Sequence, residues 1–202
     1  MAEVKVLVEG VMRFDENMVA TIGCTSTLIK SDKNIIVDPG SFVNKDKLIE
    51  ALSKEGLKPE DINYVILTHT HIDHTANMIL FNKSPIVLRF IGESDYPGQF
   101  QTIDQGKLRR FDLIKEEIAK DVKIIETPGH AMDCVSVLVK TNDGNIVIAG
   151  DCIPIEKFMD LKNEPDPRAV QNVSKFNESR KKILEIADYV ILGHGGMVKV
   201  KK

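Results

Sequence analysis

Thr68-His69-Thr70-His71-Ile72-Asp73-His74 follows without a break on the apolar run Tyr64-Val65-Ile66-Leu67. A short continuous apolar run of this kind reads as a buried strand. That strand delivers three histidines and an aspartate at its C-terminal end. His69 and His71 stand two residues apart, so both can turn toward one cation while Thr70 points away. Asp73 and His74 continue into a helix start, within reach of a second cation. Imidazole and carboxylate are ligands that zinc takes in hydrolytic sites.

The chain has five histidines, and the remaining two extend the pattern. His130 lies in Thr127-Pro128-Gly129-His130 and can complete the first set. His194 lies in Gly193-His194-Gly195-Gly196 and can complete the second. Between them Asp151, in Ala149-Gly150-Asp151-Cys152, can bridge the two. Taken singly, each has an ordinary reading, because a lone histidine is more often a hydrogen-bonded structural residue and Gly-Asp more often a turn. Seven such residues in order do not share that reading. The ligand types suit two divalent ions, Zn²⁺ first, with Fe or Mn as other occupants. Two cations about 3.5–4 Å apart can activate a water and hold charge on the attacking and leaving oxygens.

Outward from the cluster, short β-runs alternate with helical stretches. Asn34-Ile35-Ile36-Val37 reads as a strand closed by the turn Asp38-Pro39-Gly40. Residues Lys45 to Lys54 carry Leu48, Ile49 and Leu52 at helical spacing, with Gly56 just beyond as a C-terminal signal. Further strands are expected at Pro85 to Arg89, Val122 to Glu126, Cys134 to Lys140 and Ile146 to Ala149, the last two joined by a turn at Asn142-Asp143-Gly144-Asn145. A helix from about Val170 to Ile186 leads into the strand Tyr189-Val190-Ile191-Leu192, which ends at His194. Ile91 to Gly106 reads as a surface loop. Each expected ligand therefore follows a strand, where a rigid sheet can hold a reactive loop.

The 202 residues, 43% of them hydrophobic, fit one domain over residues 1–202. A formal net charge of −3 gives no global pull toward nucleic acid or anionic membrane. An RNA role would need a local patch, for which Lys107-Leu108-Arg109-Arg110 and Arg180-Lys181-Lys182 are the candidates, although short basic runs are usually solvated faces. Cys24, Cys134 and Cys152 form neither a disulfide framework nor a Cys-x-x-Cys pair. The N-terminus alternates like a strand and lacks a signal-peptide core, and no apolar run approaches the ~20 residues of a membrane helix. A cytoplasmic, reduced protein is expected, with no membrane partner.

These motifs, from Val37-Asp38-Pro39-Gly40 through the histidine cluster to Gly193-His194-Gly195, closely resemble the metallo-β-lactamase-fold superfamily over nearly the full length. His74-Thr75-Ala76-Asn77, Asp133-Cys134-Val135-Ser136-Val137 and Glu178-Ser179-Arg180-Lys181-Lys182 are most similar to the subfamily of metallo-β-lactamase-domain-containing protein 1 and its small relatives. The resemblance implies an α/β fold, a four-layer αββα sandwich of two mixed sheets flanked by helices, with metals at one edge. It assigns His69, His71 and His130 to one metal, Asp73, His74 and His194 to the other, and Asp151 to the bridge. Asp38 becomes a support behind the ligands.

Departures from the superfamily pattern narrow the function. The common zinc β-lactamases carry Cys at the Asp151 position, so antibiotic hydrolysis is not expected, and Cys152, one residue on, should face the opposite side. Electron-transferring diiron relatives carry Glu in place of His71. Only 42 residues separate Asp151 from His194, too few for the inserted cap of the large nucleases. Ala76 replaces a usual glycine. The expected function is a dinuclear hydrolase of an ester-like or phosphodiester bond, with Asp73 orienting the attacking water or accepting its proton. Its substrate is a small molecule or, in the sharper version, RNA cut by an endonuclease, and a homodimer is left open. The alternative is a mononuclear iron oxidoreductase of the persulfide dioxygenase type on the same fold.

Overall fold

The computed structural model describes residues 1–17, 19–89, 108–110 (backbone) and 118–201. The first half of the chain contributes β1 (Glu3–Val8), β2 (Val11–Phe14), β3 (Ala20–Gly23), β4 (Ser26–Lys30) and β5 (Asn34–Val37). Helix α1 (Lys45–Lys54), β6 (Tyr64–Ile66), the single turn α2 (Ile72–Thr75), β7 (Ile86–Leu88) and β8 (Leu108–Arg110) follow. The second half contributes β9 (Val122–Glu126), β10 (Val135–Thr141), β11 (Gly144–Gly150), α3 (Val173–Ile186), β12 (Tyr189–Leu192) and β13 (Met197–Lys199).

Two mixed sheets result. One has the order β1-β4-β5-β6-β7-β8 and the other β13-β12-β11-β10-β9, while β2 and β3 form a separate hairpin. Strands β5, β6, β7 and β8 run parallel, as do β11 and β12, and the other pairs are antiparallel. Because side chains alternate along a strand, each sheet presents two apolar faces. Ile35, Val37 and Ile66 of the first sheet meet Val137, Val139, Ile146, Ile148 and Ile191 of the second in a central layer. On the outer face of the first sheet, Ile36, Val65 and Leu67 pack on Leu48 and Leu52 of α1. On the outer face of the second, Val147, Ala149 and Val190 pack on Phe176 and Ile183 of α3. Three apolar layers make four layers of structure, the expected αββα sandwich.

Several strand and helix boundaries differ from the sequence expectation by one to three residues. Helix α3 begins at Val173, not Val170, because the Asn172 side chain accepts a hydrogen bond from the Lys175 amide and caps the first turn. Gly144 pairs with Thr141 as the first residue of β11, leaving Asn142-Asp143 as a two-residue hairpin turn. The expected surface loop Ile91 to Gly106 lies outside the described residues. Among the described residues no helix is long and apolar enough to cross a membrane.

Candidate metal centre

The candidate ligand residues follow the C-terminal ends of four strands. The histidine cluster leaves β6, His130 leaves β9, Asp151 leaves β11 and His194 leaves β12, while Asp38 leaves β5. Strands β9, β11 and β12 run in one direction, since β10 is antiparallel to both β9 and β11. Those of each sheet therefore end on one side, and the two sheets bring their ends together at a common edge.

Every sequence-predicted site residue is brought to that edge. The ligand atoms of His69, His71, His130 and Asp151 lie within 4.8 Å of one another, and so do those of Asp73, His74 and His194. In the first group, His130 Nε2 is 3.1 Å from His71 Nδ1 and 3.2 Å from Asp151 Oδ2, with His69 Nε2 at 3.9 Å from the same oxygen. In the second, Asp73 Oδ2 is 3.7 Å from His74 Nε2 and 3.8 Å from His194 Nε2. The other Asp151 oxygen, Oδ1, lies 3.4 Å from His74 Nε2 and 3.1 Å from His194 Nε2. His194 Nε2 also lies 3.3 Å from Asp151 Oδ2, so this one carboxylate reaches both groups.

The inner atoms lack the hydrogen bonds that burial demands. His69 Nε2, His74 Nε2 and Asp151 Oδ1 are buried without a hydrogen-bond partner. Each such atom costs about 1–3 kcal/mol unless something satisfies it. Three converging orphans of this donor set fit a cation better than any protein group. The residues present therefore suit divalent metal.

The outer nitrogens are held. Asp38, buried, accepts from the Thr68 amide at 2.8 Å, the Thr68 hydroxyl at 2.7 Å and His74 Nδ1 at 2.8 Å. With its hydroxyl proton given to Asp38, Thr68 Oγ1 accepts from His69 Nδ1 at 3.1 Å. The Gly23 carbonyl accepts from His194 Nδ1 at 3.0 Å. With Nδ1 of all three rings held as a donor, loss of the Nε2 proton to an incoming metal would leave each ring with a lone pair aimed inward. Thr70 points away, as expected, and donates to Asp133 at 2.8 Å.

Charge follows the same geometry in the metal-free protein. Burial pushes the pKa of His69 well below its usual value and lowers that of His130. Burial also opposes a charge on His74, yet the carboxylates of Asp38 and Asp151 carry its pKa well above the usual value. For His194 burial is again outweighed, here by Asp151. Burial would raise the Asp151 carboxyl, but His74 and His194 hold it well below the carboxylate range.

Sequence reasoning missed two supports. Thr25 ties the His194 loop to the first sheet: its amide donates to the Gly193 carbonyl at 2.7 Å and its hydroxyl to the Gly195 carbonyl at 2.6 Å. Gln171 reaches the His130 loop on the other side. Neither contact has a motif, because the partners are backbone groups far away in sequence. Cys152 faces away from the site into the α3 layer, as expected, and Cys134 is buried. Cys24 is also fully buried, and that burial pushes its thiol up to about 11.

One candidate for the basic patch is corrected. Arg180 is fully buried, donates to the Phe158 and Asn163 carbonyls and to Asn177, and packs over the Phe158 and Phe176 rings. It braces the stretch after Asp151 against α3 and is not free for a phosphate. The stretch from Glu156 to Asn163 is tied into this outer layer through Phe158 and Arg180. Lys107 and the side chains of Arg109 and Arg110 lie outside the described residues.

Known proteins resemble this chain in sequence and fold. The family model of the metallo-beta-lactamase superfamily matches residues 20–194. Metallo-beta-lactamase domain-containing protein 1 of Xenopus laevis is 30% identical over 87% of this chain and 72% of its own length. A Methanocaldococcus jannaschii protein named as a probable metallo-hydrolase is 33% identical over 83% of this chain and 74% of its own. A crystal structure from Thermotoga maritima, named for the metallo-beta-lactamases, superposes with a TM-score of 0.76 at 26% identity, covering 98% of this chain and 99% of that one. Fold, site and matched sequence agree, and the chain belongs to the metallo-beta-lactamase superfamily.

Proposed function

We propose that this protein is a dinuclear, metal-dependent hydrolase, with zinc the first-choice ion, acting on a small carboxyl ester, thioester or lactone. The observation that carries the reading is the Asp151 carboxylate, which lies between the two groups: Oδ2 approaches His69 and His130, Oδ1 approaches His74, and His194 Nε2 lies within 3.3 Å of both oxygens. One ligand set then belongs to His69, His71 and His130, the other to Asp73, His74 and His194, with Asp151 shared. Metals held there would supply a water activated for attack near neutral pH and positive charge for the substrate oxygens.

The chain's own residues do the positioning. Asp38, Thr68 and the Gly23 carbonyl aim the imidazoles, so little reorganisation is needed when substrate arrives. Asp73 is the more exposed carboxylate, its side chain 22% accessible against 4% for Asp151. With one oxygen toward His74 and His194, it can turn the other to orient the attacking water or take its proton.

Two observations favour a carboxyl substrate over RNA. Ile72, between His71 and Asp73, and Phe42 and Val43, just beyond the turn that supports His74, stand 73%, 70% and 69% exposed. Exposed apolar side chains so near the candidate ligands in sequence suit an acyl group better than a polyanion. Arg180, moreover, is spent inside the fold. The test is metal-stripped and zinc-restored protein assayed against esters, thioesters, lactones and single-stranded RNA. Zinc-dependent turnover of a carboxyl substrate is expected. RNA cleavage whose binding weakens with salt, log K falling by roughly 0.7 per neutralised phosphate, would overturn the choice of substrate.

A further inference from the structure

We infer that Gln171 is a positioning residue for His130 and thereby sets the affinity of the His69–His71–His130 site. The inference rests on reading that site as a metal centre. It begins from a difference among the histidines. His69, His74 and His194 each have the nitrogen facing away from the centre held by Thr68, Asp38 and the Gly23 carbonyl. Among the described residues His130 has no such partner: its only polar side-chain contacts, to His71 and Asp151, lie on the inner side. The direction of its ring must therefore come from its backbone.

That backbone is held from the α3 side. The Ser179 hydroxyl donates to the Pro128 carbonyl at 2.8 Å, and the Asn172 amide to the Gly129 carbonyl at 2.9 Å. The Gln171 amide donates to the His130 carbonyl at 3.0 Å, while Gln171 Oε1 accepts from the Met132 amide at 2.8 Å. Among the described residues only Gln171 grips the loop twice, at His130 and two residues beyond, so the two bonds bracket the ring-bearing segment. Its own place is secured by the Asn172 cap on α3.

Gln171 is exposed and belongs to none of the apolar clusters. A purely structural role therefore predicts almost no effect of its replacement, since surface substitutions away from caps and cores usually stay within about 0.5 kcal/mol. A positioning role predicts a loss confined to one metal. Supports behind metal ligands typically contribute about 10–100-fold in affinity. The exposed Met132 bond belongs at the lower end, about tenfold.

The test is cobalt(II) titration of metal-stripped protein, followed by visible absorption, for wild type, Gln171→Ala and Gln171→Glu, alongside thermal melting of the metal-free forms. Gln171→Ala should weaken one of two cobalt equivalents about tenfold, leave the other unchanged and melt with the wild type. Gln171→Glu keeps the acceptor oxygen and should restore the weakened equivalent. Unchanged affinity in the alanine variant, no rescue by glutamate, or equal weakening of both equivalents with a lower melting point would each overturn the inference. Wild-type protein taking up fewer than two cobalt would instead overturn the metal-centre reading beneath it.

Discussion

Replacing Asp38 with asparagine isolates the support behind His74. The residue has φ 52°, a left-handed conformation that asparagine tolerates, so backbone strain is nearly constant across the change. The new side chain keeps one oxygen for the Thr68 amide. Its NH₂ group then faces the Thr68 hydroxyl, which can turn to accept, and His74 Nδ1–H, which cannot. One buried charge-assisted hydrogen bond is lost, worth about 1.5–3 kcal/mol. In a domain of this size each kcal/mol moves the melting point by about 2–4 °C, so metal-free Asp38→Asn should melt roughly 3–12 °C lower. The loss also depends on pH. The wild-type His74 pKa stands well above 6.5, so stability from its charging is fully present below pH 6.5 and fades as pH rises through the raised value. The gap between the variants should be widest just below pH 6.5 and narrower in alkali. Zinc affinity, read by competition with a chelator, should fall about 10–100-fold as the His74 ring loses its direction. Equal melting points and equal zinc affinity would reduce Asp38 to a turn residue and refute the reasoning.

Zinc affinity itself should rise with pH, because metal must displace the protons that His74 and His194 hold above their usual range; calorimetry in buffers of different ionisation enthalpy should register proton release on binding. Cys24→Ser, Cys134→Ser and Cys152→Ser should each keep turnover within a few-fold in folded protein, since burial keeps all three thiols protonated; loss of activity with metals retained would point to sulfur chemistry. Gly129→Ala should unfold more easily by at least about 1–3 kcal/mol, because φ 144° is glycine territory and the added Cβ would overlap the Phe176 backbone. A denaturant midpoint equal to the wild type would contradict that contact.

Much of this site was legible because its signals are local. Strands β5, β6, β9 and β12 each end in a motif, and period and punctuation place them to within a residue. The helix Lys45–Lys54 matches its expected span because Leu48 and Leu52 mark one face and Gly56 the stop. What could not be read comes from partners without side-chain signatures. His194 is aimed by the carbonyl of Gly23, 171 residues away in sequence, and any residue offers a carbonyl. The β2–β3 hairpin and the edge strand β13 are short and weakly patterned, so nothing marks them apart from loop. Arg180 sat in a basic run that reads as a solvated face; its burial comes from aromatic neighbours on other elements. The start of α3 was available in principle, since Asn172 is a favoured capping residue.

The dinuclear centre is tested most directly by counting metal. Purified protein equilibrated with zinc and freed of excess should hold about two ions per chain by elemental analysis, and Asp151→Ala should lose at least one, because that carboxylate serves both sets. Two ions retained at full affinity without Asp151 would contradict the bridge. A single iron in the wild type as isolated would contradict the hydrolase itself and favour a mononuclear oxidoreductase.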